Sequence, residues 1–235
     1  MGSFLASLGE AVGLIVTGDP DLLEIIGLSL RVTLTAVAAA CVIGLPIGAV
    51  VGALRFPGRS LAGVILNSLM GLPPVVVGLM VYMALSAGGP LGPLGLLYTP
   101  TAMIIAQTIL VTPIVAALTK QIVEDLHADY AEQFASLEVG PFDRVVALLW
   151  DARFSLMTVA LAGFGRAVAE VGAVIMVGGN INHVTRVMTT TIALETSKGN
   201  LEVALALGVV LLTIALIVNG AVMTFRATAA RVTYA

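Results

Sequence analysis

The sequence predicts an all-α integral membrane protein with about five transmembrane helices. Hydrophobic residues make up 59% of the 235 residues, and charged residues make up only 11%. A soluble domain of this length could not bury so much apolar surface. The apolar runs are also long and continuous, which favours helices over the alternating strands of a membrane barrel.

Five apolar stretches are long enough to cross a bilayer whose hydrocarbon core is about 30 Å thick. Residues 1–20 precede them, lack the basic start and cleavage site of a signal peptide, and carry apolar side chains that predict a short helix at the membrane interface. Residues 21–235 then form one transmembrane domain. The predicted spans cover approximately residues 25–54, 61–85, 101–118, 155–178 and 201–225.

Several prolines inside the spans predict interruptions. A proline lacks a backbone donor and frees a carbonyl, so that neighbouring helices or a water-filled path must cover the gap. Two prolines in succession cannot lie in an unbroken helix, because two donors are missing. The predicted helix breaks are Pro46, Pro73, Pro74 and Pro113.

Three glycines, Gly44, Gly48 and Gly52, follow at four-residue intervals in the first predicted span. On a helix they share one face and allow a second helix to approach closely. The same spacing can arise in a face that only contacts lipid, and the sequence leaves both interpretations open.

The segment 121–153 is the longest polar interior stretch of the chain. Leu126, Tyr130, Phe134 and Leu137 recur in it at helical spacing and predict one apolar face, which ends before Gly140-Pro141. We predict two short helices folded across a turn outside the bilayer. The pattern is compatible with a solvated surface loop and with a docking element for a soluble partner.

The distribution of lysine and arginine predicts the orientation. If the spans alternate and the turn at Arg55 and Arg59 is cytoplasmic, the segment 121–153 and the C-terminus are cytoplasmic and the N-terminus is outside. Only Arg186 and Lys198 then fall in external segments, and Arg31 lies near the external boundary of the first span. The cytoplasmic side also receives Lys120, Arg144, Arg153, Arg226 and Arg231.

Charged and hydroxylated residues in or beside the fourth span are candidates for a translocation path. Arg166 and Glu170 are four residues apart and share a helix face, at a cost of several kcal/mol unless they are paired or wetted. They can form a structural ion pair, or Arg166 can lend positive potential to an anion path while Glu170 fixes its geometry. Thr189 and Thr190 can line a gate or bond to backbone carbonyls.

Signals of catalysis and metal binding are absent from the sequence. No G-x-x-x-x-G-K-[ST] motif occurs, so that this chain does not hydrolyse ATP by a P-loop. His127 and His183 lack companions at metal-ligand spacing. We therefore predict no catalytic residue, no metal ligand and no cofactor bound by this chain. The single Cys41 excludes an internal disulfide, and the net charge of −3 gives no indication of nucleic-acid binding.

Several stretches of the sequence resemble one family of transport proteins. They include a proline motif in the second span, an amphipathic stretch in the polar segment, and the residues that follow it. Together they resemble the inner-membrane permeases of bacterial type I ABC importers for molybdate, tungstate and sulfate. The matching stretches are residues 72–79, 132–137 with 140–142, 169–173, 178–181 and, most like the tungstate permeases, 185–199.

The resemblance implies a type I ABC importer core with a cytoplasmic pair of coupling helices. It implies a homodimer in the inner membrane of a bacterial or archaeal cell, a cytoplasmic ABC ATPase dimer that holds ATP and magnesium, and an extracytoplasmic oxyanion-binding protein. The expected cargo is tungstate, with molybdate and sulfate as alternatives. The implied coupling residues are Tyr130, Glu132, Phe134, Ser136, Leu137, Glu138 and Gly140.

The docking loop departs from the family pattern, which normally begins Glu-Ala-Ala. Here Glu132-Gln133-Phe134 stands in that place, and the glycine is shifted to Gly140. Two other classes remain as alternatives. A stand-alone secondary anion transporter would not need an amphipathic cytoplasmic segment, and a membrane scaffold would not account for prolines and charges inside the spans.

Overall fold

The computed structural model describes Gly13 and residues 20–233, with side chains as far as Phe225; the predicted interfacial helix at residues 1–20 lies almost wholly outside the described residues. The described residues form ten α-helices, one 3₁₀ turn at Gly92–Leu94 and no strand, as the sequence predicted. The helices are α1 (Pro20–Ala53), α2 (Arg59–Leu69), α3 (Pro74–Leu85), α4 (Pro100–Asp129), α5 (Ala131–Ser136), α6 (Pro141–Asp151), α7 (Arg153–Val168), α8 (Gly172–Gly178), α9 (Met188–Lys198) and α10 (Leu201–Thr233).

Three helices of the described part of the chain, α1, α4 and α10, are each long and apolar enough to cross a membrane. Two pairs, α2 with α3 and α6 with α7, reach that length only together, because each pair is interrupted by a break. The helices α6 and α7 meet at 74°. The described residues therefore supply three to five spans, in agreement with the predicted number.

The prolines behave in two different ways. The predicted break at Pro73 and Pro74 is present: α2 ends at Leu69, and α3 begins at Pro74 after an extended Pro73. The predicted breaks at Pro46 and Pro113 were wrong, since both residues lie inside continuous helices. A single proline removes only one backbone hydrogen bond, and a long helix continues through it because its other hydrogen bonds remain intact.

The fourth predicted span is not one helix. It is interrupted at residues 169–171, where α7 ends at Val168 and α8 begins at Gly172. The short α8 ends at Gly179, whose φ of 72° is the left-handed conformation that glycine adopts readily at helix ends. The third predicted span is longer than expected, because α4 continues eleven residues beyond the predicted end at residue 118.

The chain forms two compact units. Its first unit comprises, of the described residues, 20–36 together with Pro73–Gln107 and Gly165–Gly220. In this unit α3 and α8 pack closely, because a Cβ at Gly78 would lie only 2.8 Å from the Cα of Ala173. A second part of its core combines α9 and α10 around Met188, Leu207 and Val210.

The second unit comprises, of the described residues, Val37–Leu72, Thr108–Phe164 and 221–233. Its helices α1 and α4 meet along the glycines of α1. A Cβ at Gly44 would lie 3.0 Å from the carbonyl oxygen of Thr112, and one at Gly52 would lie 2.7 Å from that of Lys120. Of the two interpretations of this spacing, close helix packing is the one that the structure shows.

Candidate functional site

The coupling segment, residues 121–153, consists of the last turns of α4 followed by α5 and α6. Leu126, Tyr130 and Phe134 are partly buried and face the core of the second unit. Their spacing of four residues therefore did identify an inward face, although the helix breaks at Tyr130. The buried side chains that they contact are Ala49, Ala53, Val123, Val145 and Leu148.

Ring contacts and one hydrogen bond fix this face. The Phe134 ring lies 6.1 Å from His127 in a stacked arrangement and 6.0 Å from Tyr130 edge-on. The Arg144 guanidinium lies 5.5 Å from the Phe134 ring centre. The Tyr130 hydroxyl donates to Asp151 Oδ2 at 2.9 Å. These contacts join the end of α4 to α5 and α6.

A different set of residues forms the outer surface of the coupling segment. Leu137, Phe142 and Trp150 are 75%, 77% and 71% exposed. The prediction that Leu137 shares the inward apolar face was wrong, because α5 ends at Ser136 and Glu138 takes a left-handed φ of 49°. Of the predicted coupling residues, Glu132, Ser136, Leu137 and Glu138 are exposed, whereas Tyr130, Phe134 and Gly140 are partly buried.

A charge cluster next to the coupling segment was not predicted from the sequence. The Arg59 guanidinium donates to the carbonyl oxygens of Val51 and Gly52 at the end of α1, and its Nη2 also lies 2.9 Å from Glu124 Oε1. Lys120 Nζ lies 2.6 Å from Glu124 Oε2. The four-residue spacing of Lys120 and Glu124 could have predicted their ion pair from the sequence. The contact of Glu124 with Arg59, 65 residues away, has no such local signal. The cluster ties α1 and α2 to the part of α4 that enters the coupling segment.

In the first unit, Arg166 and Glu170 form the predicted ion pair, with 2.6 Å between Nη1 and Oε2. They do not share one helix, because Glu170 lies past the end of α7 in the break before α8. Its other oxygen, Oε1, accepts the backbone N–H of Ala173 at 3.1 Å. The Glu170 side chain is only 4% exposed, whereas that of Arg166 is 32% exposed. The pair therefore bridges a helix break and satisfies a backbone donor of α8.

Thr189 and Thr190 both bond to the backbone, which is one of the two roles considered for them. The Thr189 hydroxyl donates to the Glu170 carbonyl at 2.9 Å and so ties α9 to the break. The Thr190 hydroxyl is fully buried, lies 3.0 Å from the Val187 carbonyl and 2.9 Å from Asn180 Oδ1, and accepts the Val187 N–H. The Thr190 hydroxyl therefore stabilises the start of α9.

A small polar cavity lies beside the Glu170 break, inside the first unit. Its volume is about 10 Å³, room for about one water-sized molecule, and Ser29, Thr33 and Thr189 contribute hydroxyls to its wall. Gln107 also lines it: its Nε2 donates to the Ala167 carbonyl, while its Oε1 has no hydrogen-bond partner among the described residues. The cavity is too small for a tetrahedral oxyanion.

One group of side chains has the composition of a metal site. Asp21, Glu24 and His183 each place a ligand atom within 4.8 Å of the others, and all three are exposed. Glu24 Oε2 lies 2.8 Å from His183 Nδ1, and this hydrogen bond raises the pKa of His183. No local sequence pattern indicates the group, because His183 lies 159 residues from Glu24.

Residues 44–227 match the model of a family described as the binding-protein-dependent transport system inner membrane component. The chain belongs to this family. It is a multi-pass inner-membrane permease of the ABC transporter class, as the sequence motifs had suggested. Membership implies a partner ATPase and a substrate-binding protein.

The permease is similar in sequence to several named transport permeases. It is 42% identical to a probable anion ABC transporter permease protein of Haloferax volcanii, over 87% of this chain and 90% of the relative. It is 40% identical to the tungstate uptake system permease protein TupB of Peptoclostridium acidaminophilum, over 92% and 95%. The molybdenum transport system permease protein ModB of Azotobacter vinelandii is more distant, at 27% identity over 72% and 79%.

Proposed function

We propose that the permease is the membrane subunit of an ATP-driven importer that moves an oxyanion, tungstate, from an external binding protein into the cytoplasm. The observation that carries this proposal is the 40% identity to a tungstate permease along almost the full length of both chains. The molybdenum permease ModB is 27% identical, which favours tungstate over molybdate. Hydrolysis of ATP takes place on a separate ATPase dimer, and this chain itself is not an enzyme.

The coupling segment is the proposed contact with the ATPase. Leu137 and Phe142 are exposed apolar side chains next to charged Glu132 and Glu138, a surface that favours a protein partner. The inward face of Tyr130 and Phe134 joins this surface to the core of the second unit. Movement of the ATPase would thus be passed to α1 and α4 as rigid-body motion.

The translocation path is proposed to lie between two copies of the permease. This placement rests on the homodimer that the resemblance to type I ABC importer permeases implies. Arg166 is 32% exposed while its partner Glu170 is buried. Arg166 is therefore the member of the pair that can lend positive potential to a passing anion.

The proposed orientation places the N-terminus outside and the coupling segment and C-terminus in the cytoplasm. Two exposed serines test it when Cys41 is replaced by serine: Ser136 in α5 and Ser197 in α9. A cysteine at 136 should react with an impermeant maleimide only from the cytoplasmic side, and one at 197 only from outside. The reverse pattern would invert the topology.

Substrate competition tests the choice of cargo. The permease, its ATPase and its binding protein would be reconstituted together in vesicles, and uptake of labelled tungstate would be measured. Unlabelled tungstate should compete best, molybdate less well, and sulfate least. Equal competition by sulfate would contradict the assignment to tungstate while leaving the ATP-driven mechanism untouched.

A further inference from the structure

An apolar groove of about 540 Å³ runs along the surface of the second unit. It lies between α1, which contributes Cys41 and Pro46, and α7, which contributes Met157 and Ala160. Its volume falls within the range of roughly 300–1,000 Å³ typical of ligand-binding clefts. Apart from Arg153 at one place in its wall, all lining residues are uncharged.

The groove starts near one end of the membrane span and extends inward. Pro46 stands seven residues before the end of α1 at Ala53, and Cys41 stands twelve residues before it. At 1.5 Å per residue these distances are about 10 and 18 Å. Arg153, at the first position of α7, lies beside the coupling segment. The first span predicted from the sequence ends at residue 54, so we expect the groove to run from the membrane surface to the depth of lipid acyl chains.

Arg153 has the surroundings of a residue at the membrane surface. Its guanidinium carbon lies 4.9 Å from the ring centre of Trp150 and 4.6 Å from that of Phe154. Trp150 is 71% exposed, and aromatic residues of this kind are enriched at the level of lipid headgroups. Arg153 donates one hydrogen bond, from Nη1 to the Trp150 carbonyl at 2.7 Å, out of five possible N–H donors.

The charge of Arg153 is not neutralised inside the described part of the chain. None of the ion pairs among the described residues includes it. A cation with free donors at the headgroup level, at the mouth of an apolar groove, matches a phosphate group that carries an acyl chain. We propose that the groove binds an anionic phospholipid of the adjacent leaflet, with its phosphate on Arg153 and one acyl chain along α1 and α7.

The single cysteine of the chain gives a direct readout, because the free thiol of Cys41 lines the groove. Alkylation of Cys41 by N-ethylmaleimide would be timed in the purified, delipidated permease in detergent. Phosphatidylglycerol should slow the reaction at least several-fold more than phosphatidylcholine at the same concentration. This comparison uses the wild-type chain and so does not depend on any variant folding.

Variants of Arg153 test whether its positive charge causes the preference for phosphatidylglycerol over phosphatidylcholine. R153Q should lose the difference between the two lipids, and R153K, which keeps the charge, should retain most of it. R31Q removes one positive charge from α1 at a position outside the groove and should behave like the wild type. Monodisperse elution of each variant shows that it is folded.

Two results would overturn the proposal. Equal protection by both lipids, unchanged in R153Q, would mean that the groove has no preference for an anionic headgroup. Protection that rises with protein concentration in lipid-free detergent would mean that a second copy of the chain covers the groove. Native mass spectrometry of the same samples should show retained phosphatidylglycerol in the wild type and its loss in R153Q.

Discussion

Glu170 holds a buried negative charge that depends on one partner, Arg166, 2.6 Å away. Arg166→Ala should therefore lower the free energy of unfolding by about 3 kcal/mol, since it leaves that charge unpaired. Glu170→Gln in the same chain should restore most of the loss, because the amide oxygen can still accept the Ala173 N–H. Thermal unfolding of the purified variants in detergent measures both effects. An undiminished stability of Arg166→Ala would show that the pair does not support the break between α7 and α8.

The double variant with Arg166→Ala and Glu170→Gln separates the structural role of the ion pair from the role of Arg166 in transport. At normal abundance in the membrane, it should still import oxyanion about tenfold more slowly than the wild type, equivalent to about 1.4 kcal/mol in the barrier. Glu170→Gln alone keeps Arg166 and is the matched control, with a smaller loss. Normal uptake by the double variant would restrict Arg166 to a structural role.

His183 should titrate above the ordinary range of a histidine. The hydrogen bond that the His183 ring donates to the Glu24 carboxylate is the main cause of its raised pKa, Asp21 adds to the effect, and Arg186 opposes it. Because the folded pKa is raised, the pair stabilises the protein below the usual histidine pKa, and this contribution is lost as the pH rises through the raised value. Histidine NMR should show one elevated pKa that falls in Glu24→Gln. An unchanged pKa in that variant would contradict the contact.

At the level of helices, the glycine face of α1 is a test of packing. A Cβ at Gly48 would collide with the carbonyl oxygen of Ala116 in α4, whereas one at Gly27, in the same helix, meets nothing within 4 Å. Gly48→Ala should cost roughly 1–3 kcal/mol through overpacking. Gly27→Ala should be neutral or stabilise by up to about 1 kcal/mol, because alanine favours helix. Thermal unfolding compares the two, and equal effects would mean that α1 and α4 are not in close contact.

The coupling surface is tested by introducing charge at its exposed apolar residues. Leu137→Asp with Phe142→Asp removes two large side chains from the proposed ATPase contact, a loss of about 3 kcal/mol or roughly a hundredfold in affinity. Co-purification of the ATPase should fall accordingly while the permease stays in the membrane. Leu94→Asp is the control, since Leu94 is 60% exposed in the turn between α3 and α4. Unchanged co-purification would exclude this surface as the docking site.

The sequence predicted the elements whose signals are local. Continuous apolar runs predicted the spans, the double proline at 73–74 predicted a real break, and four-residue spacing placed Leu126, Tyr130 and Phe134 on one face. It did not predict the break at 169–171, where the Glu170 carbonyl accepts a hydrogen bond from the hydroxyl of Thr189, 19 residues away, instead of a helical one. It also missed the Arg59–Glu124 contact, because residues 65 positions apart in sequence carry no shared local pattern.

In the proposed importer, the whole permease supplies the translocation path and the contact with the ATPase, whereas ATP hydrolysis belongs to the ATPase. The family match and the absence of a P-loop in the sequence both agree with an ATPase on a separate chain. We propose that the coupling segment provides the mechanical connection, because its side chains pack against the core of the second unit.

The most direct measurement is uptake of labelled tungstate by vesicles that contain the purified permease and an internal ATP supply, with and without the ATPase and the binding protein. An importer driven by a separate ATPase should accumulate tungstate against a gradient only when both partners and ATP are present, and we expect this result. Uphill accumulation by the permease alone, without nucleotide, would contradict it and would identify the chain as a self-sufficient secondary transporter.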